Sequence, residues 1–256
     1  MHIPDLLDYP TAVYFIAPLI VLTGYVVYGL GGFGATVITA PVLAHFLPLT
    51  FVVPTMVLLD LVASLFVGNR AARHVNRTEV RRLLPWLLAG ILLGGTLLVN
   101  LPGRPALAAL GAFCIAFGAF TLVGPAVRGV IHTRWAVPAG LAGGMFAALF
   151  GSGGPIYVVY IAHRLTDKAQ VRATVSAMIT VSTITRIALY AATGLLLDAK
   201  LLTAAALLVP VVWVGIRIGS HLHISLSEAH MRRLIGALLL VNGASLLVRN
   251  LAWNPA

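Results

Sequence analysis

Charge is what this sequence has least of. Only 9% of its 256 residues are charged, against about 25% in soluble domains. That is too little to build a water-facing surface, so a soluble globular protein is excluded. Acids are scarcer still, with 7 Asp and Glu against 17 Lys and Arg. The one cysteine, Cys114, excludes an intrachain disulfide. No G-x-x-x-x-G-K-[S/T] loop is present, which argues against ATP hydrolysis. There is no H-E-x-x-H, and Phe150 occupies the first position that G-x-S-x-G would require around Ser152. Asp60 is the only acid well inside an apolar run, so a two-aspartate protease is not expected either. An enzyme is therefore a remote reading, and no cofactor or metal is expected. His221, His223, Glu228 and His230 are a loose, loop-borne set rather than a ligand cluster.

What the chain does have is apolar length. Hydrophobic residues make up 60% of it and its mean hydropathy is +0.99. Apolar segments run roughly over 11–29, 34–48, 51–68, 83–101 and 106–124, then over 135–150, 154–163, 173–194, 201–220 and 231–249. Several approach or exceed the ~18 residues that suggest a bilayer crossing. Their Ala/Leu/Gly-rich content predicts helices. The fold class is therefore an all-α polytopic membrane protein. The start, "MHIPDLLDYP", reads as a short tail before the first span, not a cleaved signal peptide.

The two sets of segments resemble each other. Shifting residues 83–123 by 125 gives 13 identities in 41 positions. They include Pro85 on Pro210, Gly90 on Gly215, Gly94 on Gly219, Gly111 on Gly236 and Gly118 on Gly243. A shift of 122 lays Gly29, Gly31 and Gly32 on Gly151, Gly153 and Gly154. Shared apolar composition does not readily place glycines and a proline in register, so a duplication is expected, with repeats over 1–125 and 126–256.

Charge placement orients these repeats. The loop "NRAARHVNRTEVRR" (69–82) carries five arginines, while its counterpart near 194–201 carries only Asp198 and Lys200. Inverted halves put 12 loop Lys and Arg on one side and 3 on the other, with the basic side cytoplasmic and both termini outside. The net charge of +10 is thus a topology signal, and no nucleic-acid partner is expected. The partners expected are a small anion and the lipid bilayer, and a homodimer stays open. The segments around each glycine cluster are either tight hairpins of full spans or re-entrant half-crossings, and the sequence leaves both open.

The glycine clusters are "GLGGFG" (Gly29 to Gly34) and "GSGGP" (Gly151 to Pro155). A break in a membrane helix exposes backbone groups that lipid cannot satisfy, so it must line a cavity enclosed by protein or water. The helix that follows then offers free N–H groups to an anion. Gly29, Gly31, Gly32, Gly34, Gly151, Ser152, Gly153 and Gly154 are the substrate-binding candidates on that reading. The alternative is that the glycines are only close-packing points between helices.

These residues carry a resemblance. The paired G-x-G-G motifs, the basic loop "RAARHVNR" (70–77) and "VRATVSAMITVSTITRIALYAATG" make the chain similar to the TauE/SafE family of sulfite-exporter-type permeases. The family pattern often reads G-x-G-G-G, where this chain has Phe33 and Pro155 at the last position. The resemblance implies movement of sulfite, sulfonates or other small organic anions across the bacterial inner membrane.

Arg186 lies well inside "SAMITVSTITRIALY", with Ser182, Thr183 and Tyr190 on the same helical face. Such a buried charge costs at least ~2.5 kcal/mol. It reads either as an anion site or as a structural arginine paired with Asp60 or with helix carbonyls. The repeat shift places Asp60 opposite Ser182, and Ser64 opposite Arg186. Asp60 reads as a carrier of a coupling proton, as a fixed partner of Arg186, or as a water-facing acid. Arg217 is expected to snorkel to headgroups and Trp213 to pack. The leading function is a secondary anion transporter working by alternating access and coupled to an ion gradient. An anion channel and a cation carrier using Asp60 are the alternatives.

Overall fold

Ten α-helices and one 3-10 turn account for nearly all the described residues, and none of these is in a strand. The computed structural model describes residues 11–31, 34–67, 74–123, 131–222 and 228–252. The first five helices are α1 (Thr11–Gly31), α2 (Ala35–Leu43), α3 (Leu49–Val67), α4 (Arg77–Asn100) and α5 (Gly103–Val123). The second five are α6 (Ala136–Phe150), α7 (Gly154–Arg164), α8 (Lys168–Ala192), α9 (Ala199–Leu222) and α10 (Glu228–Ala252). Among the described residues, α3, α4, α5, α8 and α9 are long and apolar enough to cross a membrane. The chain is a polytopic helical membrane protein.

Every apolar segment became a helix, but two helices start well before their apolar run. α4 begins at Arg77 because Asn76 Oδ1 accepts from the N–H groups of Thr78 and Glu79, each at 3.1 Å. α8 begins at Lys168 because Asp167 caps it through Ala169 N–H at 3.0 Å. Each cap satisfies helix-end donors that would otherwise be orphaned. Arg77, Arg81 and Arg82, read from sequence as loop residues, therefore ride on the first turns of α4.

The short helices settle how the chain turns. α2 has 9 residues and α7 has 11, or about 13 and 16 Å at 1.5 Å per residue. Neither spans a hydrocarbon core of ~30 Å. Both fold back along the helix before them. Gly24 of α1 lies against Thr39 and the carbonyl of Ala35, and Gly143 of α6 lies against the ring of Tyr157. Each is a hairpin whose return arm stops part-way.

The same packing occurs twice. α4 lies along α6 and α9 along α1, while α3 meets α8, and α5 pairs with α10. The glycines found in register explain how the backbones come so close. A Cβ on Gly90 or Gly94 would run into backbone of α6, and one on Gly215 or Gly219 into backbone of α1. Between α5 and α10 the contact is reciprocal. A Cβ on Gly111 would lie 3.1 Å from Gly243 O, and one on Gly243 2.7 Å from Gly111 O. Gly118 and Gly236 face each other in the same way. Small residues at such crossings let dispersion hold helices together where lipid gives no hydrophobic drive.

One acid is buried where the sequence suggested a solvated loop. Glu79 is 3% exposed. It accepts from Tyr160 Oη at 2.9 Å, from Arg82 Nη1 at 2.7 Å, and from Arg164 Nε and Nη2 at 3.2 and 3.0 Å. Arg164 Nη1 also donates to Ile131 O. The cluster fastens the end of α7 to the start of α4. Glu79→Ala removes the shared acceptor and leaves Arg164 half-buried without its carboxylate. It is expected to lower stability by about 2 kcal/mol, read as a fall in Tm of the detergent-solubilised protein, with Glu79→Gln retaining part of it.

At the lipid-facing surface, Trp213 is 44% exposed and the Arg217 guanidinium lies 4.9 Å above its ring. Trp213, expected to pack from its mid-span position, is therefore exposed instead and lies beneath the guanidinium of an exposed arginine.

Candidate functional site

The two chain reversals meet at the centre of the molecule. α6 ends in a turn where Gly151 N–H donates to Ala147 O at 2.9 Å and Ser152 N–H to Phe146 O at 3.2 Å. The Gly151 bond is that of an αL C-cap, whose left-handed residue is usually glycine. Gly151 has φ 69°, and Gly34, capping α2, has φ 97°. Thr36, in the first turn of α2, touches the opposite reversal, because a Cβ at Gly151 would collide with its Cγ2. Residues about 115 apart in sequence are thus neighbours.

A cavity of about 30 Å³ lies between the reversals. That is room for a water-sized occupant, so the site is closely held. The first turns of α2 and α7 line it, through Gly34 to Val37 and Gly153 to Pro155. Neither helix has a side-chain cap. Two positive helix ends therefore point into one space.

Arg186, from α8, is 3% exposed and lines the same cavity. Its Nη1 donates to Ala147 O at 3.1 Å and its Nη2 to Thr183 Oγ1 at 3.3 Å. Its Nε has no hydrogen-bond partner. Two further lining groups, Ser182 Oγ and Tyr157 Oη, are buried and make no hydrogen bond of good geometry, although they lie close to one another. Asp60, from α3, closes the far wall. Its Oδ1 accepts from Tyr25 Oη and its Oδ2 from Thr36 Oγ1, both at 2.9 Å. The Arg186 Nη2 to Asp60 Oδ2 distance is 3.9 Å, an ion pair at arm's length rather than a bidentate clamp.

The structure brings most of the candidates together. Gly34, Gly151, Gly153, Gly154, Asp60, Ser182 and Arg186 line the cavity, and Thr183 orients the guanidinium. Ser152 sits just behind, its hydroxyl donating to Phe150 O. Other candidates lie elsewhere. Gly29 packs on α9, where a Cβ would be 2.6 Å from Ile216 O. Gly31 ends α1, and Gly32, with Phe33, lies outside the described residues. Tyr190 donates to Ala148 O and ties α8 to α6. Ser64 donates to Leu61 O, a turn beyond Asp60. Sequence reasoning missed Tyr25, Tyr28, Thr36 and Tyr157. The available signal was that all four are hydroxyl residues within four positions of a glycine cluster.

The fold and this site together define a class, the multi-pass helical membrane proteins that enclose a polar site between two broken hairpins. The model of the family described as sulfite exporter TauE/SafE matches residues 16–246, and the chain belongs to that family. It is a membrane transporter. It is also similar to a curated protein of Comamonas testosteroni described as probable inner membrane transporter protein TsaS. The two are 28% identical over 192 residues, 75% of this chain and 80% of the relative. No solved structure matches the chain.

Proposed function

We propose that this protein is a secondary transporter that carries a small oxyanion, sulfite or a related sulfonate or organic anion, across the inner membrane. The observation that carries this reading is the convergence of unsatisfied donors. Buried polar groups are almost always paired, yet of three residues that line one cavity, Arg186 has no partner at Nε, and the Ser182 and Tyr157 hydroxyls have none but each other. Two uncapped helix N-termini add positive dipole ends, with first-turn N–H groups mainly from α2, because in α7 Pro155 has none and Ile156 N–H donates to Gly153 O. An oxyanion accepts hydrogen bonds on every oxygen and complements that set. The family's description as sulfite exporters points the same way, and the relative's description supports the inner membrane.

Alternating access follows from the repeated packing. Residues 1–125 and 126–256 act as inverted repeats, both termini face the periplasm, and one hairpin unit rocks against the other about the shared site. The small cavity between the reversals favours a carrier that closes around its substrate over an open channel. Arg186 beside Asp60 disfavours a cation carrier, because a bound cation would face the guanidinium. An ion gradient drives the cycle.

The test is thermal stabilisation of the purified protein by sulfite, sulfate, thiosulfate, sulfoacetate, taurine, acetate, lactate and pyruvate. A ligand at 100 times its Kd stabilises by about 2.7 kcal/mol, so a rise in Tm of a few degrees with one class of oxyanion is expected. No rise with any anion overturns the proposal.

A further inference from the structure

The site contains one cation and one anion, and its geometry shows how each is held. Asp60 takes hydrogen bonds from Tyr25 and Thr36 and leaves Arg186 at 3.9 Å. Arg186 lines the cavity and its Nε has no hydrogen-bond partner. The surroundings offer no second charge. From α1, Asp60 meets Tyr25 and Tyr28, and from α2 only Thr36. From α7 the cavity receives Tyr157, and α6 contains no ionisable side chain. α9 packs on α1 and α3, its buried residues in that cluster are the apolar Ala205, Val212 and Ile216, and its Arg217 is exposed over Trp213. Arg186 is thus the one cation at this acid among the described residues.

Adding an anion against Arg186 would leave one positive and two negative charges in one largely buried cavity of about 30 Å³. Two negative groups sharing such a site do not both stay ionised when one of them can take a proton. We propose that each anion binds together with one proton, and that Asp60 carries the proton. This rests on the anion reading above and names its coupling ion. Anion and proton then cross together. An empty carrier returns with Asp60 ionised and balanced by Arg186, so neither an unpaired arginine nor an unpaired carboxylate is left in the membrane. Tyr25 and Thr36 hold the ionised carboxylate, and Thr36 also lies against the Gly151 reversal. Movement of one hairpin against the other therefore reaches the proton site directly.

The experiment is isothermal titration calorimetry of the purified protein in two buffers of different ionisation enthalpy across pH 5.5 to 8.5. The probes are methanesulfonate, which stays a monoanion throughout, and sulfite, whose own protonation is subtracted. Wild type is expected to take up one proton per anion, with Kd rising up to tenfold per pH unit. Asp60→Asn is expected to bind with no proton uptake and a flat pH profile. Tyr25→Phe keeps the carboxylate but removes a donor, and is expected to move the weakening of binding to higher pH. Binding without proton uptake in wild type overturns the coupling and leaves the anion site standing. Uptake that persists in Asp60→Asn, or a Tyr25→Phe profile that matches wild type, also overturns it. No binding of either probe at any pH overturns the anion site and the coupling together.

Discussion

Arg186→Ala is expected to weaken oxyanion binding at least ~100-fold, about 2.8 kcal/mol at 1.4 kcal/mol per factor of ten. Charge-assisted hydrogen bonds contribute about 1.5–3 kcal/mol each, and Arg186 is the sole cationic side chain lining the cavity among the described residues. The substitution also removes the partner of Asp60, so the unliganded protein is expected to lose stability as well. The two effects separate in a ligand titration, since lost stability lowers the baseline Tm while lost binding flattens the ligand-dependent rise. Arg186→Lys keeps a charge but not the planar fork held by Ala147 O and Thr183. It is expected to retain more stability than affinity. Full ligand-dependent stabilisation of Arg186→Ala would make this arginine structural and leave the helix ends as the binding groups.

Gly144→Leu is expected to prevent accumulation of folded protein. A Cβ at Gly144 collides with Leu87 O and comes within 2.9 Å of Ile91 N and 3.1 Å of Gly90 Cα. These are backbone atoms of α4, which cannot rotate away as a side chain would. Overpacking a core costs about 1–3 kcal/mol even where side chains can adjust, and here α4 and α6 must separate along their length. Gly103→Leu is the matched control, because a Cβ there meets nothing within 4 Å. Expression and fluorescence-detected size exclusion distinguish the pair. A monodisperse peak for Gly144→Leu at the wild-type Tm would show that the α4–α6 crossing is looser than its glycines imply.

The glycines also show how far the sequence reaches. Their register under the 125-residue shift pointed to Gly111 with Gly236 and Gly118 with Gly243 as equivalent positions. It did not say that Gly111 would lie against Gly243 and Gly118 against Gly236 across α5 and α10. Repetition is visible in one dimension, but the partner of each copy is chosen when helices cross. Gly29 was grouped with the substrate glycines because it belongs to the same cluster, and it proved to be a packing point on α9. Gly34 and Gly151 differ because both adopt left-handed backbone at a reversal.

Charge was legible unevenly. Arg186 and Asp60 stood out because an ion inside an apolar run is expensive, and their local sequence carries that signal. Glu79 did not stand out, because its neighbours Arg77, Arg81 and Arg82 made the stretch look solvated. Its burial arises from Tyr160 and Arg164, more than 80 residues away. Tyr25, Thr36 and Tyr157 were missed for a related reason. A hydroxyl in an apolar helix is unremarkable until another helix places a charge or a cavity beside it.

By itself the sequence determined that the chain is a bundle of membrane helices, that its apolar segments fall into two sets whose glycines and one proline align, and that the chain breaks at two glycine clusters. Hydropathy, charge and backbone freedom are properties of short stretches, so they can be read without knowing the fold. Only the tertiary structure decided that the two breaks face each other, that their helix ends and Arg186 share one cavity with Asp60, and that Tyr190 and Ser64 stand outside it. Those facts depend on helix crossings between residues far apart in the chain, where close packing of glycine surfaces sets the distances.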